Sequence, residues 1–181
     1  MKIAIISDTH DNMRILNKTV NYLNLISIDL LIHCGDWDMP FTMRGLIGAK
    51  FPIKSVLGNG DPDIQKFLYQ LQNLDVLKDL KLDIQLRMQD FILDGKRICV
   101  FHGDDKSISK LIIDSQFYDL YCMGHDHQFS VDTKGKTTVV NPGSFVGFKI
   151  ETGAEPINMV IYDTEKSTTE IVDLEKDIGD S

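Results

Sequence analysis

Five short clusters of oxygen and nitrogen donors, each directly after an apolar run, carry the chemistry that this sequence can do. Ile3–Ile6 runs into Ser7-Asp8-Thr9-His10, and Leu30-Leu31-Ile32 passes through His33 and Cys34 to Gly35-Asp36. Ser55–Leu57 ends in Gly58-Asn59-Gly60-Asp61, Ile98–Phe101 in His102-Gly103, and Leu120–Met123 in Gly124-His125-Asp126-His127. Carboxylate, amide oxygen and imidazole together make a donor set for divalent first-row metal ions. Ligands gather outside the carboxyl ends of strands in α/β sheets, so five such ends describe one composite site drawn from most of the chain. Singly, each cluster is weak. Asp-x-His recurs by chance, Gly-Asp after a strand is ordinarily a turn, and Gly58-Asn59-Gly60-Asp61 alone reads as a tight turn into a helix.

The elements that must position these groups follow from apolar spacing. A strand over 2–7 precedes a helix over about 12–26, in which Met13, Leu16, Val20 and Leu23 recur at helical intervals and which Asp11 or Asn12 can cap. The unbroken apolar run at 29–34 predicts a strand buried on both faces, as in a parallel sheet covered by helices. Residues 39–49 carry Pro40, Gly45 and Gly48 and predict a short or irregular helix. A third strand over 53–57 leads to a helix from near Asp63 to about Leu71, with Asp61 as cap and Pro62 in the first turn.

After that helix the pattern changes. Strands are expected over 82–88, 90–93 and 96–101, with Asp94-Gly95 as a tight turn, then a helix over about 107–115 and a buried strand over 118–123. Residues 128–131 and 136–141 make a hairpin across Asp132-Thr133-Lys134-Gly135, Asn141-Pro142-Gly143-Ser144 is a turn, and 147–156 is a loop. Antiparallel strands over 157–162 and 168–174 close the fold. Early βαβ units that give way to hairpins predict an α/β fold of two sheets packed face to face with helices outside.

With 181 residues, 43% hydrophobic and 25% charged, the chain is read as one domain over 1–174, followed by a charged tail over 175–181 expected to fray. A net charge of −8 argues against general nucleic-acid binding, whose sequence-independent part comes from clustered Lys and Arg. Cys34, Cys99 and Cys122 lie inside apolar runs without CxxC spacing and are expected as buried core thiols. No stretch approaches membrane-spanning length and no signal segment precedes Asp8, so the expected location is cytoplasmic. The first strand lacks the glycines of a dinucleotide-binding turn, which excludes that class.

In this order, Asp8-x-His10, Gly35-Asp36, Gly58-Asn59-x-Asp61, His102-Gly103 and Gly124-His125-x-His127 resemble the five motifs of the calcineurin-like metallophosphoesterases. Length and the Asn141-Pro142-Gly143-Ser144 turn resemble the compact YfcE-like phosphodiesterase branch, whose fold the non-catalytic retromer subunit Vps29 also uses. The resemblance implies a four-layer α/β/β/α sandwich. It places Asp8, His10, Asp36 and His127 on one metal ion and Asp36, Asn59, His102 and His125 on a second, with Asp36 as bridge. Two ions per chain are implied, Mn first, with Fe, Zn, Ni or Co as alternatives. It also implies hydrolysis of small phosphodiesters by a metal-bridging hydroxide, with Asp36, Asn59 and His102 in the catalytic role. A Vps29-like protein-interaction scaffold is the alternative. It is disfavoured because all seven positions hold residues able to coordinate.

Departures from the family pattern qualify the expectation. Gly60 stands where many members carry a histidine that protonates the leaving group, which points to substrates with good leaving groups or ring strain, such as aryl diesters and 2′,3′-cyclic nucleotides. Asp61 or Asp126 is an alternative proton source, although Asp61 reads first as a helix cap. Asp126 either orients a ligand imidazole or faces water. Lys149 reads as a surface lysine standing where relatives place an arginine, and His33 as a buried hydrogen-bonded histidine. Trp37 and Phe41 either stack on substrate or pack under their loop. Phe145 and Phe148, expected exposed, hint at a homo-oligomeric interface.

Overall fold

The unbroken apolar runs are buried on both faces because each of these strands lies between a second sheet and a layer of helices. In β1 (Lys2–Ile6), Ile3 and Ile5 enter a core shared with Leu30 and Ile32 of β2 (Leu30–His33), Ile98 and Val100 of β6 (Lys96–Phe101), and Leu120 and Cys122 of β7 (Leu120–Cys122). Ala4 and Ile6 face the other way, into a core with Leu16, Val20 and Leu23 of α1 (Met13–Ile26). On the second sheet Cys99 and Phe101 turn outward to join Ile112 of α3 (Lys106–Asp114). The layers therefore run helix, sheet, sheet, helix, as expected. Each large side chain fully buried in these layers contributes about 1.5–3 kcal/mol from leaving water. A computed structural model of the chain describes residues 1–149 and 153–178, with Lys149 described by its backbone alone.

The first sheet has the order β13-β12-β1-β2-β3-β4, where β3 is Ile53–Val56, β4 Leu82–Gln85, β12 Asn158–Asp163 and β13 Thr168–Asp173. The second has the order β5-β6-β7-β9-β8, where β5 is Met88–Leu93, β8 Ser130–Lys134 and β9 Thr137–Asn141. β1 pairs in parallel with β2 (Ile6 opposite His33), and β2 with β3 (His33 opposite Ser55). The loops bearing Asp8, Asp36 and Asn59 thus leave one edge of the sheet together. β6 and β7 are likewise parallel, with Val100 opposite Cys122, which delivers His102 and His125 from a common edge. Asp94 and Gly95 turn tightly at φ 51° and 75° between antiparallel β5 and β6, and the three cysteines are free and buried, both as read from sequence.

Several expectations need correction. The strand read over 82–88 breaks at Leu86 and Arg87: β4 is a parallel edge strand of the first sheet, whereas β5 begins the second. α2 (Ile64–Asn73) is capped by Asp63, whose side chain accepts from the Gln65 amide, so Asp61 is not the cap. The hairpin of β8 and β9 turns at Gly135-Lys136, a tighter connection than expected. Within 147–156, Phe148–Lys149 (β10) pairs with Gly153–Ala154 (β11). Phe148 is exposed, but Phe145 is fully buried in the core beneath α1 because Asn12 holds its carbonyl. The expected frayed tail is docked as far as Ile178, which joins the same core, while 179–181 lie outside the described residues.

Candidate metal centre

Seven polar residues at this shared edge adopt the left-handed backbone region: Asp8, His10, Asp11, Asp36, Asp38, His125 and His127, at φ from 40° to 75°. Side chains rarely sit there without cost, so the turns after β1, β2 and β7 are held by their surroundings. The holding groups are identifiable. Asp8 donates its amide to the Gly35 carbonyl at 2.9 Å, and its own carbonyl accepts from the Phe145 amide and the Ser144 hydroxyl at 2.9 and 3.0 Å. Gly58 and Gly124 are required as glycine, because a Cβ would lie 2.1 Å from Asp36 Oδ1 at the first and 1.9 Å from Ser7 Oγ at the second.

Among the described residues, ligand atoms of Asp8, His10, Asp36 and His127 all fall within 4.8 Å of one another. Asp8 and Asp36 are buried, and among the described residues no Lys or Arg pairs with either. Two buried carboxylates without a cationic side chain call for another positive charge. The histidines are set up to share it. His10 Nδ1 lies 2.9 Å from Asp38 Oδ1, which can only accept, so Nδ1 carries the proton of that bond and Nε2 is turned toward the cluster. That Nε2 sits 2.9 Å from His127 Nε2. The hydrogen bond to Asp8 raises the His127 pKa above the ordinary imidazole value, and a metal ion would displace that proton.

Of the remaining three candidates, His102 joins Asn59 to Asp36, and His125 lies beside His102. His102 Nδ1 donates to the Cys34 carbonyl at 2.9 Å, which turns Nε2 toward Asn59 Oδ1 at 3.2 Å and Asp36 Oδ1 at 3.3 Å. Burial opposes charge on His102, yet its hydrogen bond to Asp36 and the charges of Asp36 and Asp8 outweigh burial and raise its pKa. Burial likewise opposes charge on Asp36, but His102 and the Gly60 amide hold its carboxyl down at about 2. The His125 ring lies 5.3 Å from that of His102, centre to centre, and its amide reaches Asp8 Oδ2 at 3.1 Å. The donor chemistry of the cluster of Asp8, His10, Asp36 and His127 fits a divalent first-row ion, and imidazole and amide oxygen from His102 and Asn59 stand beside it.

Residues just outside this cluster resolve the alternatives left open by sequence. His33 accepts the Gly35 amide on Nδ1 at 3.1 Å, lies 3.0 Å from Thr9 Oγ1 through Nε2, and stacks on Trp37 with ring centres 3.6 Å apart. Both its nitrogens are engaged and burial holds its pKa well below the usual value, so it braces the loop as a neutral ring. Trp37 is fully buried and donates Nε1 to Ser55 Oγ, which places it under the loop and away from substrate. Asp126 accepts from the Gln128 amide and from Asn141 Nδ2 at 2.9 and 2.7 Å, fixing the turn between the two histidines. Lys149, expected at the surface, has its side chain outside the described residues.

One residue escaped the sequence reading of the site, and a second was read in another role. Asp38, the acceptor for His10, had a local signal in the spacing Gly35-Asp36-x-Asp38. Asp61, read as a helix cap or proton source, is a clamp: its carboxylate accepts the amides of Asp36, Trp37, Asp38 and Gly58 at 3.0, 2.7, 2.9 and 2.8 Å and so pins the β2 loop to the β3 loop. Burial pushes its pKa up to about 6 against the pull of these donors. With both oxygens so occupied, Asp61 is no proton source for a leaving group.

Comparison with known proteins agrees with this geometry. The family model described as "Calcineurin-like phosphoesterase superfamily domain" matches residues 1–167. Phosphodiesterase MJ0936 of Methanocaldococcus jannaschii is 31% identical over 169 residues, covering 92% of this chain and 95% of its own. A solved archaeal phosphodiesterase superposes with a TM-score of 0.82 at 27% identity, over 95% of this chain and 99% of that one. YfcE of E. coli (16% identity, 97% and 100% of the chains, TM-score 0.63) and zinc-bound Vps29 of Entamoeba histolytica (16%, 97% and 100%, 0.65) share the fold. The chain belongs to the calcineurin-like phosphoesterase superfamily.

Proposed function

We propose that this protein is a binuclear metal-dependent phosphodiesterase acting on small phosphodiesters. The observation that carries the reading is the convergence of His10 and His127 on Asp8 and Asp36, two buried carboxylates that no Lys or Arg among the described residues neutralises. Asp8, His10, Asp36 and His127 would hold one ion and Asp36, Asn59, His102 and His125 the other, with Mn the first choice. When bound, such ions acidify water for attack on phosphorus and offset the charge that grows on the phosphoryl oxygens.

The chain's own residues prepare the site. Asp38 and the Cys34 carbonyl fix the His10 and His102 rings with Nε2 facing inward. The Gly60 amide donates to Asp36 Oδ1 at 2.8 Å and limits how that carboxylate can turn. Position 60 offers no side chain to protonate a departing alkoxide, and a Cβ there would crowd Asp38 Oδ1 at 3.1 Å. General acid catalysis contributes about 10²–10⁴-fold where present, so its absence favours aryl diesters and 2′,3′-cyclic nucleotides over alkyl esters. Three buried free thiols fit a reducing cytoplasm. Retention of all seven donor residues disfavours a purely scaffolding role.

The test is a paired assay. Protein stripped by a chelator and reloaded with Mn should hydrolyse bis-p-nitrophenyl phosphate faster than p-nitrophenyl phosphate, and the stripped protein should hydrolyse neither. Full activity without metal would remove the proposal.

A further inference from the structure

Two cavities border the candidate ligands, one at each histidine of the Gly124-His125-Asp126-His127 turn. The His127 side opens into about 230 Å³ against Phe129, Val146 and Phe148. The His125 side opens into about 310 Å³ between the β7 end and α3, walled by Met123, Ile113 and the stems of Lys106 and Lys110. A phosphodiester carries two ester arms, and cavities at both histidines give each arm a place beside the phosphorus.

The His125 cavity is the more selective of the two, because its rim carries a lysine without a carboxylate partner among the described residues. Lys110 pairs with Asp114, whereas Asp126 is tied through Oδ1 to the Gln128 amide and Asn141 Nδ2, bonds that leave its charge in place, and among the described residues no ion pair joins it to a lysine of α3. Lys106 pairs with no carboxylate among the described residues, in a chain of net charge −8. The floor suits a flat apolar group: half-buried Ile113 and Met123 offer a branched chain and a polarizable thioether, which favours contact with aromatic rings. We infer that the cavity between His125 and α3 seats an aromatic ester arm bearing a negatively charged substituent, with Lys106 meeting that charge. The inference rests on the phosphodiesterase reading and specifies its substrate: an aryl or nucleoside diester with a further anionic group on the arm that is retained.

Two matched esters test it, 4-nitrophenyl phenyl phosphate and 4-nitrophenyl 4-carboxyphenyl phosphate. Both release 4-nitrophenolate, so the chemical step has the same leaving group. The Mn-loaded wild-type protein should favour the carboxyphenyl ester by about two- to five-fold in kcat/KM, the scale of a solvent-facing ion pair. Lys106→Ala should bring the ratio to one, and Lys106→Glu should invert it; a glutamate is well tolerated at a helix start. Independently of turnover, the hydrolysis-resistant (4-carboxybenzyl)phenylphosphinate should shift the ¹³C-methyl signal of Met123, less so in Lys106→Glu. Equal hydrolysis of the two esters by wild type, or a preference that survives Lys106→Glu, would overturn the inference and leave the phosphodiesterase reading standing. Hydrolysis of neither ester by the metal-loaded protein would overturn both.

Discussion

Asp61→Asn separates a residue that clamps two loops from one that caps a helix. Asparagine caps helices as well as aspartate does, so a capping role would make the substitution almost silent. The clamp requires both oxygens. Oδ1 accepts from Trp37 and Asp38, and Oδ2 from Asp36 and Gly58. Replacing one oxygen by an amide NH2 leaves two backbone N–H groups without an acceptor and opposed to a donor. A buried unsatisfied donor costs about 1–3 kcal/mol, so the two together cost about 2–6 kcal/mol. For a chain of this length that lowers Tm by roughly 5 to 15 °C. Thermal unfolding by circular dichroism at pH 8, where Asp61 is ionised, reads the shift. Asp63→Asn at the actual cap, whose oxygen accepts from the Gln65 amide at 2.8 Å, is the control and should move Tm by no more than about 1 °C. A Tm unchanged in Asp61→Asn would refute the clamp.

Two further substitutions probe the supports of the ligands. Asp38→Ala removes the acceptor 2.9 Å from His10 Nδ1 and should weaken Mn binding by about 10–100-fold in calorimetric titration, while Asp38→Asn, which keeps an acceptor, should cost less. Gly124→Ala would place a Cβ 1.9 Å from Ser7 Oγ and 2.3 Å from Asp8 Oδ2. It should destabilise the fold by about 1–3 kcal/mol in urea unfolding and release metal from the Asp8 side.

The parts of this molecule that local chemistry determines were legible before the structure. Apolar runs without alternation predicted strands covered on both faces, and Ile3 and Ala4 now face different cores for that reason. The donor residues lie at strand ends, as their positions after those runs implied. What sequence could not supply were pairings between distant segments. Periodicity identified a strand near Leu82 but not its neighbours, so the run over 82–88 did not show that it divides between an edge strand of the first sheet and the start of the second. Asp61 is twenty-four residues from Trp37, and nothing local distinguishes a clamp from a cap. Phe145 looked exposed because its neighbours are turn residues, yet the bond from Asn12 draws the turn against α1 and buries it.

Anomalous diffraction from a crystal soaked in Mn²⁺ and recorded with wild-type protein tests the central claim most directly. Two adjacent peaks are expected, one among Asp8, His10, Asp36 and His127 and one among Asp36, Asn59, His102 and His125. A map without density at these side chains, or with a single peak that leaves His102 and His125 uncoordinated, would contradict it.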